Sequence, residues 1–265
     1  MKVLWAILVS LVIFSPDSRA QDESFCNLRN NAFKAGEQVV FRIYYNLGMI
    51  YVPAGEARFT LSLDRLGGKP VFHVVGDGYT FHSYDWVFKV RDRYESFIDT
   101  STLLPVRFIR DVHEGDYHIY NYVNFNQQKH LATSLKGTYN VPGCIQDVLS
   151  AIYAARNIRF DSYQPGEKIP FYMFLDDQVY HLYIRYLGKE RIETRYGTFN
   201  AIKFKPLLIK GTIFQGGEKM TVWVSDDKNH IPLRINSPIS VGSIKVDMIG
   251  YSNLLYPLSS MISKR

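Results

Sequence analysis

The chain has 265 residues, 46% of them hydrophobic, and 31 basic against 25 acidic side chains give it a formal net charge of +6. A chain of this size can bury a substantial core in one large or two small domains. The basic excess is spread along the sequence, with Lys264-Arg265 as its longest run, which argues against the basic stripe that nucleic acid calls for and leaves only a weak attraction to anionic surfaces.

Lys2 precedes an apolar run, Val3 to Phe14, which ends in Ser15-Pro16-Asp17-Ser18-Arg19-Ala20. A positive start, a short apolar stretch and small residues at Ser18 and Ala20 predict a signal peptide over 1–20, cut before Gln21. The run falls short of the roughly 20 apolar residues that span a bilayer. No later stretch is apolar enough to act as a transmembrane anchor, and Cys26 lies too far downstream of Ala20 for a lipid anchor. The expected location is therefore the periplasm or the extracellular space.

Residues 21–35 are polar and read as an N-terminal arm, followed by one β-rich domain over 36–265. The aromatics, 19 Tyr and 17 Phe, sit beside Val and Ile, a composition that favours strands. Predicted strands run through Gln38–Tyr45, Gly55–Asp64, Val71–Tyr79, Val87–Ile98, Val106–Val112, Tyr117–Asn124 and His130–Leu135, most of them bounded by turn residues. Ala57 to Leu63 alternates, so one face there is buried and one is wet. The period then changes once. Cys144 to Arg156 places apolar residues at 145, 148, 149 and 152, the spacing of a helix whose apolar stripe must cover the sheet. Strands resume at Lys168–Leu175, Gln178–Tyr186, Lys189–Arg195, Ala201–Pro206, Gly217–Ser225, Leu233–Asn236 and Gly242–Tyr251. Asp176-Asp177 reads as a hairpin turn.

The two cysteines, Cys26 and Cys144, predict one disulfide in an exported chain, with two buried thiols as the alternative. Such a bond ties the arm to the start of the helix.

One phrase occurs twice. Ser96 to Phe108 and Trp223 to Ile235 each run a strand into Asp, turn through polar residues, and leave through apolar-Pro-apolar-Arg-apolar. The Asp can bond nearby backbone N–H groups, and the proline fixes φ where the second strand needs no donor. Pro105 and Pro232 should mark equivalent corners of two related halves, 36–140 and 160–255, joined by helix 144–156.

The second of these hairpins resembles the closing hairpin of periplasmic lipoprotein carriers and related outer-membrane lipoproteins. That resemblance implies an unclosed barrel with a helix plugging an apolar concave face that binds acyl chains. A wider resemblance runs from Ala35-Gly36-Glu37 and Ala54-Gly55-Glu56-Ala57, through Asp147 to Tyr153 and Leu187-Gly188-Lys189-Glu190, to Gly197-Thr198-Phe199, Val222-Trp223-Val224-Ser225 and Pro232-Leu233-Arg234-Ile235. It is similar to an exported family known as domain of unknown function 3108. This implies a β-rich fold in a Gram-negative envelope and no assigned activity.

Candidate chemistry is sparse. Cys144 at a helix start, with His181 or His230 as base, would suit a cysteine hydrolase. His113-Glu114-Gly115-Asp116-Tyr117-His118 is rich in metal-ligand types, and a tight turn at Gly115 could bring its histidines together with Asp111 or Asp116. A polar hairpin tip carries the same residues for solubility. Asp176-Asp177 and Asp226-Asp227 are adjacent, so strand geometry would point each pair to opposite faces, unlike the facing carboxylates of a glycosidase. No catalytic residue, metal or cofactor is therefore assigned. The aromatics Tyr44, Tyr45, Phe81, Tyr84, Trp86, Phe88 and Trp223 are the candidate ligand-binding residues.

The fold expected is mainly β: an antiparallel, curved or half-barrel sheet, similar to lipocalins or lipoprotein carriers, with one covering helix. The function expected is non-enzymatic binding of a lipid or other apolar envelope ligand in the concave face. The alternatives are a structural or protein-interaction module of the envelope and a hydrolase using Cys144.

Overall fold

The structure is a computed structural model that describes residues 25–47, 50–86, 88–209, 216–239 and 242–264. The expected signal segment, 1–20, lies outside them. A first meander contains β1 (Gln38–Leu47), β2 (Ile50–Leu66), β3 (Lys69–Thr80), β4 (Val90–Asp99), β5 (Pro105–Glu114) and β6 (Tyr117–Asn126), extended by the short β7 (Leu131–Ser134) and β8 (Thr138–Asn140). Helix α1 (Val148–Ala155) follows. A second meander contains β9 (Lys168–Leu175), β10 (Gln178–Glu193), β11 (Gly197–Pro206), β12 (Thr221–Ser225), β13 (Pro232–Pro238) and β14 (Ser243–Ser252). β1 pairs with β14, Gln38 opposite Ser252, and makes one antiparallel sheet of the two. A last strand, β15 (Met261–Lys264), adds to β11.

The sheet path ends in β8 and β9. It curls until these ends meet through side chains. Phe174 of β9 packs with Phe125 at 6.1 Å and Tyr139 at 5.6 Å between ring centres. Asp176, in the β9–β10 turn, takes Arg110 of β5 and the Asn121 amide, the latter at 3.0 Å. Both Asp176 and Asp177 have positive φ, 51° and 61°, as the tight hairpin turn read from the sequence requires.

Sequence alternation finds most strands but misplaces some limits. Gln178–Tyr186 and Lys189–Arg195 are one strand, β10, bent at Gly188, where φ is +101° and the register shifts against β11. Glycine tolerates that backbone, so the strand bends where the sequence suggests a break. β2 begins at Ile50, and a Cβ on its Gly55 would sit 2.2 Å from the Tyr79 carbonyl oxygen. Only glycine permits that approach of β2 to β3.

The helix is shorter than the apolar spacing predicts. Its N-cap is Asp147, whose carboxylate accepts the Ser150 N–H while the Ser150 hydroxyl accepts the Asp147 N–H. This reciprocal cap starts the helix four residues after Cys144. Cys144 itself has a φ of +58°. Gln146 bridges Met173 in parallel, covering the outer edge of β9.

Helix α1 occupies the concave face. Leu149 and Tyr153 pack with Leu61, Val74 and Ile98 of the first meander. Ala151 and Ala154 pack with Ile169, Phe171, Ile184 and Ile202 of the second. The arm joins them: Phe25 stacks on Phe171 at 4.7 Å, and the Phe33 ring meets Tyr153 edge-on at 5.0 Å. A segment that reads as polar thus buries its few apolar residues, because each fits beside the helix. The Cys26–Cys144 disulfide is formed, with Cα atoms 5.4 Å apart and a sequence separation of 118.

One charge pair lies inside this packing. The Arg156 guanidinium grips the Glu37 carboxylate through two nitrogens, at 2.5 and 2.9 Å, and also donates to the carbonyls of Asn229 at 3.0 Å and Ala32 at 3.3 Å. Both side chains are buried. A charge removed from water needs this degree of satisfaction to be tolerated.

The repeated phrase forms equivalent hairpins. Phe97 faces Arg107 and Trp223 faces Arg234, and in both hairpins the register shifts at the next residue, just before the proline. Leu103 and His230, each two residues before its proline, share a positive φ, 58° and 43°. Asp99 holds the first turn by accepting the Ser101 N–H at 2.8 Å; Asp227 holds the second by accepting the Asn229 N–H at 3.0 Å. The neighbouring Asp226 instead pairs with Lys189 at 2.9 Å.

Candidate functional site

The β3–β4 loop lies between the first residues of β2 and the β5–β6 turn. The Phe81 N–H donates to Ala54 of β2 at 2.9 Å and the Gly115 N–H to Lys89 at 2.8 Å, lacing the loop to both. The β3–β4 loop is further fixed by Asp85. Its carboxylate accepts from Thr80 at 2.8 Å and from Arg91 at 2.7 Å, and Arg91 holds that carboxyl below the usual range.

This region presents a rim of large apolar side chains. Trp86 is 85% exposed, Ile50 66%, Tyr51 49%, Phe88 46% and Tyr117 43%. Trp86 is held outward, its indole N–H donating to the Ser83 carbonyl at 3.0 Å. Lys245 lies 5.1 Å from the Tyr51 ring centre. An aromatic set in water on a tied loop exposes apolar surface without adding to the core.

The candidate ligand-binding residues divide accordingly. Trp86 and Phe88 are on the rim, with Phe81 and Tyr84 half-buried in the same loop. Arg42 covers Phe81 at 5.2 Å. Tyr45 is half-buried toward the end of β1, whereas Tyr44 is buried with Arg195 4.8 Å from its ring centre. Trp223 lies apart on β12, where its indole donates to Glu190 at 2.7 Å and Lys203 sits 5.4 Å from its ring. Ile50 and Tyr117 were missed by reading the aromatics as one run. Both flank hairpin turns, so counting strand direction from hairpin to hairpin would have found them.

Next to Phe88 is a hollow of about 290 Å³ lined by Lys89, Arg91, His113 and Gly115. The β5–β6 hairpin sets His113 opposite His118, their rings stacked with centres 3.9 Å apart. Both Nε2 atoms lie 3.1 Å from Asp111 Oδ1. Asp92 beneath accepts the His113 N–H at 3.1 Å, and burial, reinforced by the charge of Glu114, pushes its carboxyl up to about 7.

The chemistry weighed for Cys144 is closed by the disulfide, since a bonded sulfur is no nucleophile. His230 lies elsewhere, donating to the Arg156 carbonyl at 2.7 Å, with burial lowering its pKa.

Residues 40–249 match the family DUF3108, described as proteins of unknown function. The chain belongs to this family. No curated protein matches this DUF3108 member. Among solved structures, the DUF1849 β-barrel-like protein of Brucella abortus is similar with a TM-score of 0.57 at 8% identity, covering 83% of this chain and 99% of its own. That likeness shows a shared β-barrel-like fold. A candidate exported protein of YmcC-like fold from Bacteroides fragilis gives a TM-score of 0.34 at 10% identity, over 85% of this chain and all, 100%, of its own. A candidate lipoprotein from Parabacteroides distasonis gives 0.36 at 11%, over 84% and 100%. No helix among the described residues is long and apolar enough to cross a membrane.

Proposed function

We propose that this DUF3108 protein works outside the cytoplasm as a non-enzymatic module of the cell envelope, and that it engages a lipid or other apolar envelope component through the rim around Trp86. The disulfide supports the location, because such bonds persist in oxidising compartments. The observation that carries the rest is Trp86, exposed and hydrogen-bonded in place, with Phe88 also exposed in the same loop. Aromatic rings with basic neighbours suit the boundary between headgroups and acyl chains. The packed helix and arm argue for contact at this rim rather than beneath the helix, where the sequence placed the ligand.

The test is tryptophan emission. Once residues 1–20 are removed, the tryptophans are Trp86 and Trp223, so a Trp223→Phe variant reports Trp86 alone. Added to phospholipid vesicles, that variant should co-sediment and shift its emission to the blue. Replacing Trp86 and Phe88 by Ser, with Trp223 retained, should end co-sedimentation without altering the circular dichroism spectrum. No emission shift and no co-sedimentation would reject the lipid reading in favour of docking on a protein.

A further inference from the structure

We propose that Asp111, His113 and His118 form a binding site for a divalent transition-metal cation of the zinc class. The site follows from the hairpin itself. Asp111 and His113 are two apart on β5 and so share its outer face, while the register puts His118 of β6 directly opposite His113. Gly115, with a φ of +61°, allows the turn between the two histidines to be tight.

The geometry suits a metal. The three ligand atoms lie within 4.8 Å of one another, and each histidine Nε2 is 3.1 Å from Asp111 Oδ1. Zinc–ligand bonds of about 2.0–2.1 Å at tetrahedral angles put neighbouring ligand atoms roughly 3.3 Å apart. A cation at the centre of this trio is within bonding reach of all three atoms once the stacked imidazoles rotate so that each in-plane Nε2 lone pair points at it. The rings are stacked within 20° of parallel, so protonating both would place two cations face to face. A single metal ion held by both Nε2 atoms, with the rings turned out of their stack, is instead balanced by the Asp111 carboxylate. Two imidazoles and one carboxylate select zinc, nickel, cobalt or copper over magnesium and calcium, which take oxygen donors.

Three protein ligands leave a fourth position for water or an anion. His113 also walls the hollow that holds Lys89 and Arg91. Lys89 favours an anionic group, such as a carboxylate or phosphate, at that fourth position, Arg91 being engaged by Asp85. The proposal does not depend on the rim's binding lipid.

Isothermal titration of the tag-free secreted protein with zinc chloride, and separately with magnesium chloride, tests it. The expected result is one zinc per chain and no magnesium heat. Affinity should fall as the pH is lowered, because protons compete with the metal for the imidazoles. His113→Gln and His118→Gln should each weaken zinc by roughly tenfold or more, in line with the sensitivity of metal sites to their supporting residues. Both replaced together should abolish it, and His82→Gln, on another loop, should change nothing. Because both histidines are exposed, each variant should keep the parent's circular dichroism spectrum. Absence of zinc binding, or binding that persists unchanged in the doubly replaced protein, overturns the assignment.

Discussion

At the scale of single residues, Arg156 decides more than any one apolar side chain. It is buried with Glu37, and 119 positions of sequence separate them. Replacing Arg156 by Ala leaves a carboxylate without its partner in low dielectric and should cost about 3–5 kcal/mol in urea unfolding. Replacing both partners, Glu37→Leu with Arg156→Met, should recover most of that loss; a double variant as unstable as the single one would mean that packing dominates. Nothing in the sequence marks this pair, since each residue sits in an ordinary polar context and only the folded sheet brings them together. Asp147 gives a pH signature. Burial, partly offset by hydrogen bonds from Ser150 and Ser96, pushes its carboxyl up to about 7. Unfolded, an aspartate titrates near 3.9. The folded state therefore holds a proton that the unfolded chain releases, so this contribution is full below about pH 4 and is lost as pH rises through about 7. Asp147→Asn keeps an acceptor for Ser150 and should flatten the fall in urea midpoint over that interval. A slope identical to the parent's would show that Asp147 is ionised throughout.

At the scale of elements, the two repeated hairpins invite a direct comparison. Asp99 closes an exposed turn through Ser101 and Thr102. Asp227 holds Ser225 and Asn229 and also accepts the Ser260 N–H at 3.1 Å, fastening the segment before β15. Asp227→Ala should therefore lower the melting temperature more than Asp99→Ala, by an amount matching about 1–3 kcal/mol for donors left unpaired under cover. Equal losses would place the value of both residues in their turns alone. The hairpins were legible because apolar-Pro-apolar-Arg is a local pattern. The aspartate that accepts the turn was not, because Asp226 and Asp227 are adjacent and only backbone geometry separates them. The helix was legible by period and misread by four residues at its start, where Ile145 is buried ahead of the helix. β8 and β15, with three and four residues, are too short for alternation to register. At the candidate site, Trp86 and Phe88 were visible as an aromatic run and His113 and His118 as a tip motif. Their exposure and convergence were set by the pairing of strands, which no local window contains.

At the scale of the whole molecule, one sheet wraps one helix and is drawn together at three places: the β1–β14 pairing, the Phe174 contacts and the disulfide. The two meanders carry the same hairpin devices, at Pro105 and at Pro232. The disulfide holds the arm against the segment leading into α1, so its loss loosens contacts that both meanders make with the helix. Replacing Cys26 and Cys144 by Ser should cost about 2–5 kcal/mol, read as a lower melting temperature that added reductant also produces in the parent. A parent protein indifferent to reductant, while shown to lose its disulfide, would remove the bond from the stability account.

The same bond also changes how far apart the ends of the sheet are while the chain is still unfolded. To pair Gln38 with Ser252, a reduced chain must close a loop spanning nearly its whole length. With Cys26 joined to Cys144, the shortest covalent path runs from Gln38 back to the bond, across it, and on from Cys144, roughly half as long. Halving a loop lowers its closure cost by about 0.6 kcal/mol, and pairings distant in sequence are the ones that slow folding. An oxidised chain therefore reaches the seam between its meanders sooner than a reduced one, so the bond acts on the order of assembly as well as on its endpoint.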